Sequence, residues 1–170
     1  MKNLFKVALV AIVMLLAGNF AQAQSKIGYV NFGEVVRAMP EFKTMQTALD
    51  SYQKQFADQF TVMSNEYQAK GADFQKNAAA MTDAVRAAKQ TELQDLQKRI
   101  QDYQTDAQQK IEAKSNELSK PLVDKARAAL SEVAKEKGYT YVLDSGTTNL
   151  LVSPDADDLA AAVKTKLGLK

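Results

Sequence analysis

Lys76-Asn77-Ala78-Ala79-Ala80-Met81-Thr82 decides how this chain of 170 residues folds. The stretch has no apolar period and no large side chain except Met81. On either side the period is strong. Upstream, Phe42, Met45, Leu49, Tyr52, Phe56, Phe60, Met63 and Tyr67 follow one another at steps of three or four. Downstream, Val85, Lys89, Leu93, Leu96, Ile100, Tyr103 and Ala107 do the same, continued by Ile111, Lys114, Leu118 and Leu122. Such steps keep one stripe of a helix facing a partner. The weak centre lies midway between Pro40 and Pro121, residues that disfavour helix continuation. The expectation is a helical hairpin over residues 41–119, its tip near 76–82 and each arm ~50–55 Å long at 1.5 Å per residue.

The stripe holds only about two apolar positions in seven, the width of a two-helix seam rather than of a helix buried in a globule. The remainder is Gln, Lys, Asp, Glu, Ala and Ser, so most of each arm stays wet. Extra steps of four, at Phe56 to Phe60 and at Tyr103 to Ala107 to Ile111, relax the heptad supercoil locally.

Residues 1–23 have the form of a secretory signal peptide. Lys2 and Lys6 make the basic start, Val7 to Gly18 is an apolar run of twelve, and Ala21-Gln22-Ala23 is a small-x-small cleavage site. Twelve apolar residues fall short of the ~20 needed to span a bilayer. Cleavage after Ala23 and export are expected. Position 24 is Gln, not Cys, so lipidation is not. Removing Lys2 and Lys6 from 22 basic residues leaves 20, against 20 acidic. A neutral mature chain gives no electrostatic reason to bind nucleic acid. The chain has no Cys, so packing and assembly must hold it without disulfides.

The two ends of the chain read as β-rich. Lys26 to Phe32 is a first strand, with Ile27 and Tyr29 on one face and Val30 and Phe32 on the other. Gly33 to Met39 is a short helix before Pro40. Past Pro121 the helix continues or restarts to a C-cap at Gly138. Tyr139 to Asp144 is a second strand, Ser145 to Thr148 a turn, and Asn149 to Val152 a third, short strand. A last helix covers Ala156 to Leu167, with Asp155, Asp157 and Asp158 at its start. The fold class is α+β: a small β-sheet body, residues 24–40 and 120–170, with a long antiparallel α-helical hairpin projecting from it. Three short strands cannot make an independent core, and open edges are usually paired. A homo-oligomer sharing the body is therefore expected, with Ile27, Tyr29, Val30, Tyr141, Val142, Leu143, Leu150 and Leu151 as its residues.

The whole mature chain also resembles the Skp/OmpH family of periplasmic chaperones. The likeness is carried by the Ala-x-Ala leader, Lys26-Ile27-Gly28-Tyr29-Val30-Asn31, Met39-Pro40-Glu41, the Gln- and Lys-rich hairpin with Pro121 on its return, Lys137-Gly138-Tyr139-Thr140-Tyr141-Val142-Leu143-Asp144, and the terminal helix. The resemblance implies a homotrimer with a shared β body. It implies three helical tentacles around a cavity that holds unfolded outer-membrane proteins, in the periplasm and without ATP or any cofactor. One difference is plain: the family's best-known members are strongly basic, whereas this mature chain is neutral.

A holdase buries exposed apolar groups weakly and at many sites. Candidate client-binding residues are Phe60, Tyr67, Phe74, Met81 and Val85; Met suits varied partners. Phe60, Tyr67 and Val85 also satisfy the seam, whereas Phe74 and Met81 sit where it ends. Lys70, Lys76, Arg86 and Lys89 outnumber Asp73 and Asp83, which suggests an electropositive tip, a first contact for anionic clients or anionic lipid headgroups. The same charges also read as an ordinary solvated helix turn.

Catalysis is not expected. Val142-Leu143-Asp144-Ser145-Gly146-Thr147 matches the aspartic-protease loop, but about 17 strand residues cannot build the shell that a carboxylate dyad needs. Asp and Gly also sit where a plain turn wants them. With no His and no Cys, the usual nucleophile–base pairs and zinc sites are missing. The alternative function is structural: an envelope coiled-coil spacer or adaptor that binds one folded partner.

Overall fold

Asn31 converts a strand into a helix. It follows β1 (Ile27–Val30) and caps α1 (Phe32–Ala38), its Oδ1 accepting the Glu34 N–H at 3.1 Å. The computed structural model describes residues 25–169; the expected signal peptide lies outside them. After α1 come α2 (Pro40–Asn77) and a 3-10 turn, Ala78–Ala80. Then follow α3 (Asp83–Glu136), β2 (Tyr141–Asp144), a second 3-10 turn (Asp155–Asp157) and α4 (Ala160–Lys166). Among the described residues, no helix is long and apolar enough to cross a membrane.

The prolines do not both end helices. Pro40 is the first residue of α2, where its missing N–H would have had no intrahelical partner. Pro121 lies inside α3. It removes one backbone donor, and packing of the turns after it carries the helix through. At 38 and 54 residues, α2 and α3 span ~57 and ~81 Å. The extra length of α3 is the body. There Leu122, Ala126, Ala129 and Val133, at steps of four, three and four, are all buried. One helix thus serves as arm and as core wall.

β1 and β2 are parallel, with Ile27 opposite Tyr141 and Tyr29 opposite Leu143. Parallel neighbours need a crossover connection; here the crossover is the entire hairpin. The far side of β1 is met by the segment before α4, where Leu159 donates to the Tyr29 carbonyl at 2.9 Å. The inner face, Val30 with Val142, packs on Val35, Val133, Leu159 and Val163. A second cluster, Met39, Leu122 and Ala126, seals the foot of the hairpin with Phe42 and Met45.

α3 ends on Gly138 at φ +73°. Tyr139 N–H reaches the Ala134 carbonyl at 2.8 Å and Gly138 N–H reaches Lys135 at 3.2 Å, a Schellman closure. The turn drops Tyr139 into the body. Its Oη donates to Asp157 Oδ1 at 2.9 Å, and Lys26 Nζ sits 4.0 Å above its ring. Burial first, then the Asp157 contact, pushes this phenol above its usual range.

Two expectations at the C-terminal end need correction. Asn149 to Val152 is not a strand: Leu151 and Val152 are 87% and 91% exposed, with no ladder partner among the described residues. The sheet is two-stranded. The last helix begins at Ala160, not Ala156, because Asp155–Asp157 forms a 3-10 turn and Leu159 bonds back to β1.

Candidate functional site

The stripe read from the sequence is the seam. From Phe42 to Tyr67 and from Lys89 to Leu122 every stripe residue is at least half-buried, with Met63, Leu96, Ala107 and Leu122 buried outright. Phe56 anchors its middle. Its ring meets Tyr52 edge-on at 5.1 Å and Tyr103 at 6.1 Å, and the Tyr103 hydroxyl donates to the Phe56 carbonyl at 3.4 Å. Two ion pairs cross between the arms. Lys125 binds Glu41 at 2.5 Å at the foot, and Lys70 binds Glu92 toward the tip. Each lysine holds its carboxylate partner below the usual range.

Of the client-binding candidates, Phe60, Tyr67, Phe74 and Met81 are half-buried. Val85 stands off the seam at 46% exposure. The tip cations are largely engaged. Lys70 and Lys89 converge on Glu92, one turn past Lys89. Arg86 pairs with Asp83 at 3.2 Å and donates to the carbonyls of Ala78 and Met81. Lys76 is exposed and makes no ion pair among the described residues.

The eight body candidates divide. Val30 is buried in its own chain, and Val142 and Leu150 are half-buried. Ile27, Tyr141 and Leu143, at 50%, 60% and 40% exposure, form the outward sheet face with half-buried Tyr29; Leu151 is exposed beyond them. Asp144 of the protease-like loop is engaged locally. Its Oδ1 accepts N–H groups of Phe32 at 3.2 Å and Gly146 at 2.9 Å, tying the turn after β2 to the start of α1.

A feature not singled out in the sequence lies midway along the arms. Phe56, Phe60, Tyr103 and Ile111 line an open groove of about 490 Å³ over buried Ala107. The signal was present in the paired steps of four, which mark where a seam unwinds.

These elements define a class: a long antiparallel helical pair rooted in a small sheet drawn from both ends of the chain, with an apolar outer sheet face. The OmpH-like outer membrane protein family model matches residues 26–167, and the chain belongs to that family. Chaperone protein Skp of Vibrio cholerae is 29% identical over 159 residues, covering 86% of this chain and 89% of that one. Outer membrane protein 26 of Haemophilus influenzae is 30% identical over 170 residues, covering 86% of each. An OmpH-like chain from Caulobacter crescentus superposes with a TM-score of 0.68 over 86% of each chain; at 14% identity the likeness is one of fold.

Proposed function

We infer that this chain is a periplasmic holdase chaperone that keeps unfolded outer-membrane proteins from aggregating, without ATP. One observation carries the reading. Beyond the foot, the arms bury only Met63, Leu96 and Ala107, so ~55 Å of paired helix offers scattered half-buried apolar side chains on a polar ground. Such a surface binds weakly at many points and releases without fuel. The relatives named as chaperones agree with it and give the spacer or adaptor alternative no support.

Several copies, three by the family likeness, share the body. The outer face of Ile27, Tyr29, Tyr141 and Leu143 is the surface a second copy would cover, and exposed Leu151 and Val152 add to the apolar surface of the body, a liability on a lone chain. The arms then surround a common cavity, with Phe60, Tyr67, Phe74, Met81 and Val85 as client contacts. Residues 1–23 direct export and are removed after Ala23. Contact of the tip with anionic lipid rests on Lys76, because Lys70, Arg86 and Lys89 are engaged within the hairpin.

The test is aggregation. Several unrelated outer-membrane barrel proteins are diluted from urea with and without the chain, no nucleotide present, and light scattering is followed. Suppression for all of them near one oligomer per client is the expected result. Failure to protect any of them, with capture of a single native partner instead, would establish the adaptor.

A further inference from the structure

We propose that the groove over Ala107 is a client-binding subsite, and that its ligand is an uncharged, extended segment carrying aromatic side chains, such as a barrel strand before it pairs. This rests on the chaperone reading above and names the chemistry of capture within it.

The groove follows from the sequence. A step of four carries a stripe ~40° around the helix. Tyr52 to Phe56 to Phe60 and Tyr103 to Ala107 to Ile111 each take two such steps, so both stripes rotate by ~80° over the same stretch of the hairpin. Their large side chains cannot all face the seam. Small Ala107 alone is buried there, while Phe56, Phe60, Tyr103 and Ile111 stay half-buried on one side. The other groove between the arms, nearer the tip, is lined by Glu66, Lys70, Glu92, Asp95 and Arg99; this one has an aromatic floor and no charged residue in its lining.

The rim decides the occupant. Gln53, Gln104, Gln108 and Ala57 are exposed and uncharged. The charged neighbours in sequence of the rim residues are paired along their own helices, Lys54 with Asp58 and Lys110 with Asp106, each at 2.8 Å. No charge is offered to an ionic ligand, and burying an unpaired one on the aromatic floor is unfavourable. Glutamine amides instead supply donors and acceptors. An extended chain has free backbone N–H and C=O groups to meet them, whereas a helix has bonded its own. A strand that alternates apolar and polar residues, as membrane-barrel strands do, puts every second side chain into the floor. Aromatic rings fit it best, offset or edge-on to Phe56 and Tyr103.

The experiment uses the full chain and a urea-unfolded outer-membrane barrel protein. Ala57→Arg puts a charge at the mouth without touching the seam; circular dichroism and thermal unfolding should match wild type because Ala57 is exposed. Client affinity should fall about tenfold, the scale on which a misplaced charge acts at an apolar contact. Benzoylphenylalanine at position 104 should crosslink to client, and a neutral peptide alternating Tyr and Thr should compete better than one alternating Leu and Asp. If wild type protects client while Ala57→Arg binds as tightly and position 104 gives no adduct, the groove is not the subsite and the chaperone reading stands. If wild type protects no client, both readings fall together.

Discussion

Arg86 closes the hairpin on Ala78. Its Nε and Nη2 each lie 3.3 Å from the Ala78 carbonyl, and Nη2 also donates to the Met81 carbonyl at 3.2 Å. Ala78 caps α2 and opens the 3-10 turn, where its carbonyl also accepts the Met81 N–H at 3.4 Å, so a forked cation from the returning arm reinforces the turn at the end of α2. Arg86→Ala should destabilise the hairpin by about 1–2 kcal/mol, the range for hydrogen bonds to a charged group that is part-exposed. Arg86→Lys should recover little, because an ammonium cannot fork. Urea unfolding followed at 222 nm checks both; equal midpoints for wild type and Arg86→Ala would remove the clasp.

Gly28 is tied to the body by space. A Cβ there would sit 2.9 Å from Cδ1 of Tyr139 and 3.2 Å from the Asp157 carbonyl oxygen. Tyr139 cannot retreat without losing its bond to Asp157. Gly28→Ala should therefore lower stability by about 1–3 kcal/mol, the usual range for overpacking, with Tyr139→Phe milder. Thermal melts of the two variants test the order.

The crossing ion pairs make the hairpin acid-sensitive. Glu92 is held below the usual carboxylate range first by Lys70 and then by Lys89, and Glu41 by Lys125. A carboxyl whose native pKa is depressed stabilises the fold above its unfolded value, ~4.3 for Glu, and that contribution is lost as pH falls through the lower native value. Wild type should lose stability between about pH 5 and pH 3 more steeply than Glu41→Gln/Glu92→Gln. The difference should shrink in 1 M salt, where the Debye length is about 3 Å. Parallel pH profiles would show that the pairs contribute nothing.

The outer sheet face predicts assembly. Replacing Tyr141 and Leu143 by Glu should give a folded chain of lower mass in sedimentation equilibrium, since both side chains point away from the protomer's own core. Unchanged mass would move the interface elsewhere.

The hairpin was legible because a two-helix seam in water leaves a stripe that nothing else in the chain imitates. From Phe42 to Tyr67 and from Lys89 to Leu122 every residue of the stripe is at least half-buried, joined off the stripe only by Ser64, Glu92, Ser115 and Ser119. Continuation of the helix past Pro121 was legible in Leu122, Ala126 and Val133, and packing at Leu122 and Ala126 outweighs the one lost backbone bond. Asn149 to Val152 misled because strand propensity says nothing about a partner. The positive tip faded because Glu92, on the next turn of α3, draws in both Lys70 and Lys89. The mid-arm groove is not legible in the sequence because steps of four relax a supercoil without fixing which side of the seam opens, and the opening depends on Ala107 being small.

Hydrogen exchange by mass spectrometry, with and without an unfolded outer-membrane protein, goes straight to whether the wet arms do the holding. Added client should slow exchange along residues 42–118, most around Phe56 and Tyr103, and leave the body near Val133 and Val163 as it was. Protection confined to the body, with arms that exchange at the same rate in both states, would contradict it.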